Sequence, residues 1–167
     1  MKKNFLVTSI GGLFSHDLVR ALRVEKNSFI LGTDMNETPN AYFLDKFEKI
    51  YDPKKNKKKY ILKLFELCKK YKINCVLPCS ENECLEISKN LKKLQKMKIR
   101  TSVSNYETIK NVMDKHLLFK ALKKNSIDVG EWHSLKNFNE LKKFSKILGY
   151  PKKKLVIKPR IGSGSKG

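Results

Sequence analysis

Short apolar runs recur along the first two thirds of the chain, and each is followed by a stretch with helical periodicity. The runs are Asn4 to Ser9 (NFLVTS), Phe29 to Asp34 (FILGTD), Phe47 to Asp52 (FEKIYD), Asn74 to Cys79 (NCVLPC) and Ile99 to Ser104 (IRTSVS). Each is the length of a strand, and a continuous apolar run marks a strand covered on both faces. A helical pattern from Ser15 places Leu18, Val19 and Leu22 on one stripe. A second, over 57–72, places Ile61, Leu64, Phe65, Cys68 and Tyr71 on one face. Ser80 and Glu83 form an S-x-x-E capping box that opens a third helix, to about Lys96. A short irregular or helical piece with Tyr42 and Phe43 precedes the third run. Strands that alternate with helices at this spacing are joined by right-handed crossovers. The expected fold over 1–104 is α/β: a parallel, Rossmann-like sheet with helices on both faces.

The pattern changes after residue 104. Ser104 and Glu107 suggest a second capping box, followed by helices over about Asn105 to Lys124 with Leu117, Leu118, Ala121 and Leu122 apolar. EWHSL (Glu131 to Leu135) reads as a strand. Asn137 caps a helix carrying Phe138, Leu141, Phe144 and Leu148, which Gly149 and Pro151 end. KLVIKP (Lys154 to Pro159) reads as a further strand. One helix between two strands is too small to close a core. Residues 105–167 are therefore expected to hold linker helices and an incomplete α+β subdomain.

Charge bounds the partners. The 167 residues carry a formal net charge of +21, yet of 37 basic residues only Arg20, Arg23, Arg100 and Arg160 are arginine. Readers of phosphates and bases favour the planar arginine fork. Lysine spread over every solvent face, including Lys54 to Lys59 (KKNKKK), reads instead as a solvated surface, with no nucleic-acid partner. No apolar run approaches the ~20 residues of a membrane span. The first apolar stretch is broken by Thr8, Ser9, Gly11 and Gly12, so it reads as a strand rather than a leader, and the chain as cytoplasmic. Cys68, Cys75, Cys79 and Cys84 show no C-x-x-C pair and are expected as reduced thiols. His16, His116 and His133 are scattered, without metal-ligand spacing or a nucleophile beside them.

Three stretches carry candidate chemistry. Gly11 and Gly12 follow the first strand and allow a tight turn or the approach of an anion to the next helix start. Asp34 ends the second strand, where a ribose-binding acid sits in dinucleotide folds, although the glycines do not spell G-x-G-x-x-G. Ser80 and Glu81 follow a buried strand at the carboxyl edge of the sheet, where open α/β sheets place ligands. Capping explains Ser80, but Glu81 is left free to face a ligand or a neighbouring domain. Finally, LVIKPRIGSGSKG delivers Lys158 at a strand end directly before Gly162, Ser163, Gly164, Ser165, Lys166 and Gly167. Glycine backbone N–H groups with serine hydroxyls can wrap an anion, and a lysine ammonium can charge-neutralise it. The competing reading is a flexible linker.

The ordered set of the glycine turn, LGTDMNE, AYFLDKFEKIYDP, VLPCSENE, MDKHLLFKAL and VIKPRIGSGSKG resembles the opening half of ATP-grasp enzymes. The likeness is closest to the carbamoyl-phosphate synthase large subunit. The resemblance implies a pre-ATP-grasp domain over 1–104, then linker helices and the start of an ATP-grasp domain over 105–167. It implies that Lys115 of MDK and Lys158 of VIKP touch the phosphates of ATP, with Ile161 to Gly167 as the loop that folds over them. It places the Mg²⁺-binding acids, the adenine clamp and the catalytic residues beyond Gly167. The implied activity is ATP-dependent ligation of a small-molecule carboxylate to an amine, which this stretch would not perform alone. An unpaired sheet edge after LVIKP would invite pairing into a homodimer. The alternative is a dinucleotide or nucleotide-sugar module that uses Gly11, Gly12 and Asp34 without ligase activity.

Overall fold

The computed structural model describes residues 3–37 and 43–162, the Leu13 side chain excepted. The chain divides into two compact units, Met1–Ile109 and Lys110–Gly167.

In the first unit five strands are laid down in chain order: β1 (Lys3–Thr8), β2 (Ser28–Asp34), β3 (Lys46–Lys49), β4 (Cys75–Leu77) and β5 (Arg100–Thr101). Between them run α1 (Leu13–Leu22), α2 (Lys57–Lys70), α3 (Glu81–Ser88) and α4 (Leu91–Lys96). The sheet is entirely parallel, in the order β3-β2-β1-β4-β5. The chain winds outward from β1 through β2 to β3, then returns to place β4 on the other side of β1. The reversal leaves a crevice at the carboxyl ends of β1 and β4.

Alternate residues of the central strands feed two cores, because side chains change face at every residue. Leu6, Leu31 and Val76 face Tyr60, Leu64, Leu67 and Cys68 of α2, with Ile87 and Leu94 of α3 and α4. Their neighbours Val7 and Ile30 face Val19 of α1, flanked by Leu18, Leu22 and Phe47. Burying one such aliphatic side chain stabilises the fold by about 1.5–3 kcal/mol. Gly32 of β2 is fixed by this packing: a Cβ there would collide with Leu44 and press on Ile10.

Four helices end with a residue in the left-handed region, and only one of these is glycine: Lys72 (φ 49), Lys98 (φ 58), Ser126 (φ 58) and Gly149 (φ 97). In each case the next residue's N–H reaches back five positions. Ile73 donates to Cys68, Ile99 to Leu94, Ile127 to Leu122 and Tyr150 to Ser145. This is the Schellman closure, and the apolar residue past the left-handed position completes it. In this sequence the isoleucine, more than a glycine, marks the stop.

The third expected helix is two, because the chain turns at Lys89–Asn90 between α3 and α4. β4 and β5 are shorter than their apolar runs, and β3 begins one residue before its run and ends at Lys49. The piece around Tyr42 lies partly outside the described residues.

The remaining helices are α5 (Tyr106–Met113), which spans the junction, and α6 (Lys115–Lys124) and α7 (Phe138–Ile147) of the second unit. Asn105, not Ser104, supplies the side-chain oxygen at the start of α5, accepting from the Thr108 N–H at 2.9 Å. Asn137 caps α7 as expected, accepting from the Glu140 N–H at 2.9 Å. Neither expected strand of this unit forms. Glu131 to Leu135 is irregular, and among the described residues Lys154 to Pro159 joins no ladder; beyond it Ile161 makes an isolated antiparallel bridge with Asp114. Apolar composition favours a strand locally, but a ladder needs a second strand to accept it. With no ladder there is no sheet edge at LVIKP, so the sheet-edge argument for a homodimer has no footing in the described residues.

Candidate functional site

At the crevice between β1 and β4 the loops converge on a carboxylate. Glu83 in the first turn of α3 is 2% exposed. One of its oxygens accepts from the Thr8 hydroxyl at 2.6 Å, the Ser9 hydroxyl at 2.7 Å and the Ser80 hydroxyl at 3.0 Å. The Ser80 hydroxyl in turn accepts from the Glu83 N–H at 3.4 Å, which closes the capping box. Burial pushes the Glu83 carboxyl above its ordinary range, against the pull of the hydroxyl bonds. The Tyr60 hydroxyl is buried beside this carboxylate without a hydrogen bond of good geometry, and burial first, then the Glu83 charge, raises the phenol well above its usual value. Cys79 and Cys84 flank the group; burial first and the Glu83 charge next raise both thiols, Cys79 to about 11.

The turn after β1 differs from the expected glycine turn. The left-handed residue is Ser9 (φ 50), held there by its bond to Glu83, and its carbonyl accepts from the Gly12 N–H at 3.0 Å. Gly12 starts α1 with an ordinary φ of -81, and a Cβ there would lie 3.3 Å from the Ser9 carbonyl. Asp34 serves the same turn. One oxygen accepts from the Gly11 N–H and the other from the Asn36 N–H, each at 3.0 Å. Local backbone geometry thus accounts for Asp34 and Gly11 without a ribose or an anion. Ser80 is engaged with Glu83, whereas Glu81 beside it is exposed.

The second cluster lies within the second unit, around the start of α6. Asp114 caps that helix, its Oδ1 accepting from the His116 N–H at 3.0 Å and the Leu117 N–H at 3.2 Å. The segment from Lys158 to Gly162 crosses this start. Arg160 Nε donates to both Asp114 oxygens at 2.7 Å, and the Lys115 N–H donates to the Arg160 carbonyl at 3.0 Å. The Lys115 ammonium donates to the Gly162 carbonyl at 2.8 Å. The Lys158 ammonium sits over the Phe119 ring, 5.3 Å from its centroid. Phe119 is one turn on from Lys115, so the two expected phosphate ligands meet the same face of α6. Gly162 has φ 151, a conformation that favours glycine. Ser163, Gly164, Ser165, Lys166 and Gly167 lie outside the described residues. His116 and Phe119 both pack edge-on against Trp132, and His133 stacks on Phe144.

Residues 5–103 match the family model for the PylC-like, N-terminal domain. The match covers more than half of the chain. The chain belongs to the PylC-like N-terminal domain family. Solved structures extend the likeness of this PylC-like chain into the second unit, as fold similarity. An L-amino acid ligase from Bacillus licheniformis matches with a TM-score of 0.66 at 12% identity, over 96% of this chain and 38% of that one. The biotin carboxylase domain of 2-oxoglutarate carboxylase from Hydrogenobacter thermophilus, solved as a dimer with MgADP, ADP and bicarbonate, matches at 0.60 and 18% identity, over 90% of this chain and 34% of that one. A Campylobacter jejuni biotin carboxylase in complex with β-γ-ATP matches at 0.61 and 14%, over 90% and 34%. These neighbours are ATP-grasp enzymes, and the chain spans little over a third of their length. They do not single out the carbamoyl-phosphate synthase branch. No curated protein sequence matches the chain.

The residues at α6 fit an anionic nucleotide: two ammonium groups on one helix face, beside a glycine. They do not fit a bound Mg²⁺. Among the described residues no group of three or more His, Cys, Asp or Glu is arranged to hold a metal. No helix among them is long and apolar enough to cross a membrane.

Proposed function

We propose that the chain forms the front portion of an ATP-dependent carboxylate–amine ligase. Its second unit would hold the phosphates of ATP through Lys115, Lys158 and the glycine-rich segment from Gly162 to Gly167. The observation that carries this reading is that the Lys115 ammonium meets the Gly162 carbonyl while the Lys158 ammonium lies over the ring of Phe119, one turn along α6 from Lys115. Family membership and the fold of the neighbours support it. Bound ATP would supply the phosphoryl group that activates a small-molecule carboxylate as an acylphosphate, for displacement by an amine. Phosphoryl transfer of this kind depends on positioning and charge neutralisation, which ammonium groups provide in part. The Mg²⁺ ligands, the catalytic groups and the adenine pocket would come from further polypeptide, as would cover for Val156 (85% exposed), Ile157 (70%) and Ile161 (65%). A cytoplasmic setting, free of nucleic acid and membrane, belongs to the same proposal.

The test is Mg-ATP binding to the whole polypeptide that carries this sequence, by calorimetry and thermal shift. Ligand at a hundredfold excess over Kd raises stability by about 2.7 kcal/mol. Lys115→Ala and Lys158→Ala should each remove most of that shift while leaving the ligand-free Tm in place. A full shift in both variants overturns the assignment.

A further inference from the structure

The second unit holds a single buried residue among those described, and it is a carboxylate: Asp114, 7% exposed. Its partner Arg160 lies 46 positions away in sequence, with a side chain half exposed at 51%. Closing so long a loop costs entropy that an ordinary surface ion pair does not repay. This pair is not ordinary. The same carboxylate caps α6 and takes Arg160 Nε on both oxygens, so helix start and distant segment share one anchor. The backbone reinforces it through the Lys115 N–H on the Arg160 carbonyl and the Asp114↔Ile161 bridge. Lys158, Arg160 and Gly162 each touch α6 or its cap, and the chain bends at Arg160 between the other two. The arginine side chain is thus the middle of three contacts whose outer two involve the ammonium groups of Lys158 and Lys115.

We infer that Asp114 and Arg160 form a clasp that positions the segment from Lys158 to Gly162 across the start of α6 and so keeps Lys115 and Lys158 on one side for a nucleotide phosphate. Neither clasp residue binds the phosphate itself; Arg160 is a positioning residue. The nucleotide part of this inference rests on the function proposed above, whereas the clasp does not. Arg160 beside it holds the Asp114 carboxyl down at about 2, a value that the backbone donors of the cap also favour.

The experiment uses the whole chain with Asp114→Asn, Arg160→Gln, the double variant and Arg160→Lys. Asparagine caps a helix as well as aspartate, so Asp114→Asn spares α6 while it removes the charge and one of the two oxygens that accept from Arg160. Without nucleotide, hydrogen exchange of the Lys115 amide, which donates to the Arg160 carbonyl, should quicken at least about tenfold in both single variants, and no further in the double, as coupled partners require. In Arg160→Gln the Asp114 carboxyl carbon should titrate back toward 3.8, its ordinary value. Mg-ATP affinity should fall about tenfold and equally in the two single variants, with no added loss in the double and partial recovery in Arg160→Lys, as a positional coupling between partners requires. Unchanged exchange in Arg160→Gln overturns the clasp. Loss of affinity in Arg160→Gln with full affinity in Asp114→Asn overturns positioning and makes Arg160 a direct ligand. Freed exchange with unaltered affinity also overturns positioning. A wild-type chain that binds no Mg-ATP overturns the proposed function and the positioning role together, while the exchange result still decides the clasp.

Discussion

The two units of this chain are stabilised by different means. In the first, buried apolar side chains from Leu6 to Ile99 fill both faces of a parallel sheet. In the second, neither α6 nor α7 buries a single apolar residue, and among the described residues the one buried group is the carboxylate of Asp114. Their buried carboxylates also titrate in opposite directions. Burial raises Glu83 in the first unit; the Arg160 guanidinium lowers Asp114 in the second. A unit with a dry core can carry a carboxylate at some cost. A unit without one depends on ion pairs, backbone bonds and whatever further surface covers its apolar groups. The difference teaches that compactness and self-sufficiency are separate properties.

The sharpest way to break the comparison is amide hydrogen exchange. Amides of β1 and β2 should open only with global unfolding, and those of α6 and α7 by local opening at far lower free energy. Equal protection in both units would end the contrast. Next in size is core truncation. Leu64→Ala, at a fully buried position, should cost about 2–5 kcal/mol in denaturant unfolding. Val156→Ala, 85% exposed, should stay within about 0.5 kcal/mol. Gly32→Ala should cost about 1–3 kcal/mol by overpacking against Leu44 and Ile10; a neutral result would show that β2 yields where the core is described as tight.

The pH test is the finest. Because the fold raises the Glu83 carboxyl above 4.5, the native state holds that proton more firmly. Its contribution is fully present below 4.5 and is lost as pH rises through the higher folded value. Asp114 has the opposite sign: its contribution is present above 3.8 and is lost as pH falls through about 2. Glu83→Gln should remove the falling limb from the difference curve against wild type, and Asp114→Asn the acid limb. Interchanged limbs would refute the assignment of the two environments.

Much of the first unit is legible from residues alone. Apolar runs located all five strands, and the 57–72 periodicity located α2, because both signals are local. The Ser80–Glu83 box predicted the start of α3. It did not reveal that Glu83 also gathers Thr8 and Ser9, contacts spanning 75 and 74 positions. Nor did any pattern show that Asp34 would close the turn at Gly11. In the second unit Lys158 stands out as the charge directly before the glycines and Lys115 only through a family likeness, while nothing local gives Arg160 a role. The only available signal was its rarity, one of four arginines in a lysine-rich chain. The expected strands at Glu131 and Lys154 failed for one reason. Lys154 to Pro159 carries Val156 and Ile157, whereas Glu131 to Leu135 has no β-branched residue; among the described residues neither finds a partner strand.

The sequence by itself determined the alternation of strand and helix, the caps at Ser80 and Asn137 and the isoleucine-marked helix stops. All of these depend on neighbours a few positions apart. Only the tertiary structure decided strand order, the cage of hydroxyls around Glu83 and the union of Asp114 with Arg160. Those contacts join residues 46 to 75 positions apart, and they exist only once the chain has paid the entropy of bringing them together.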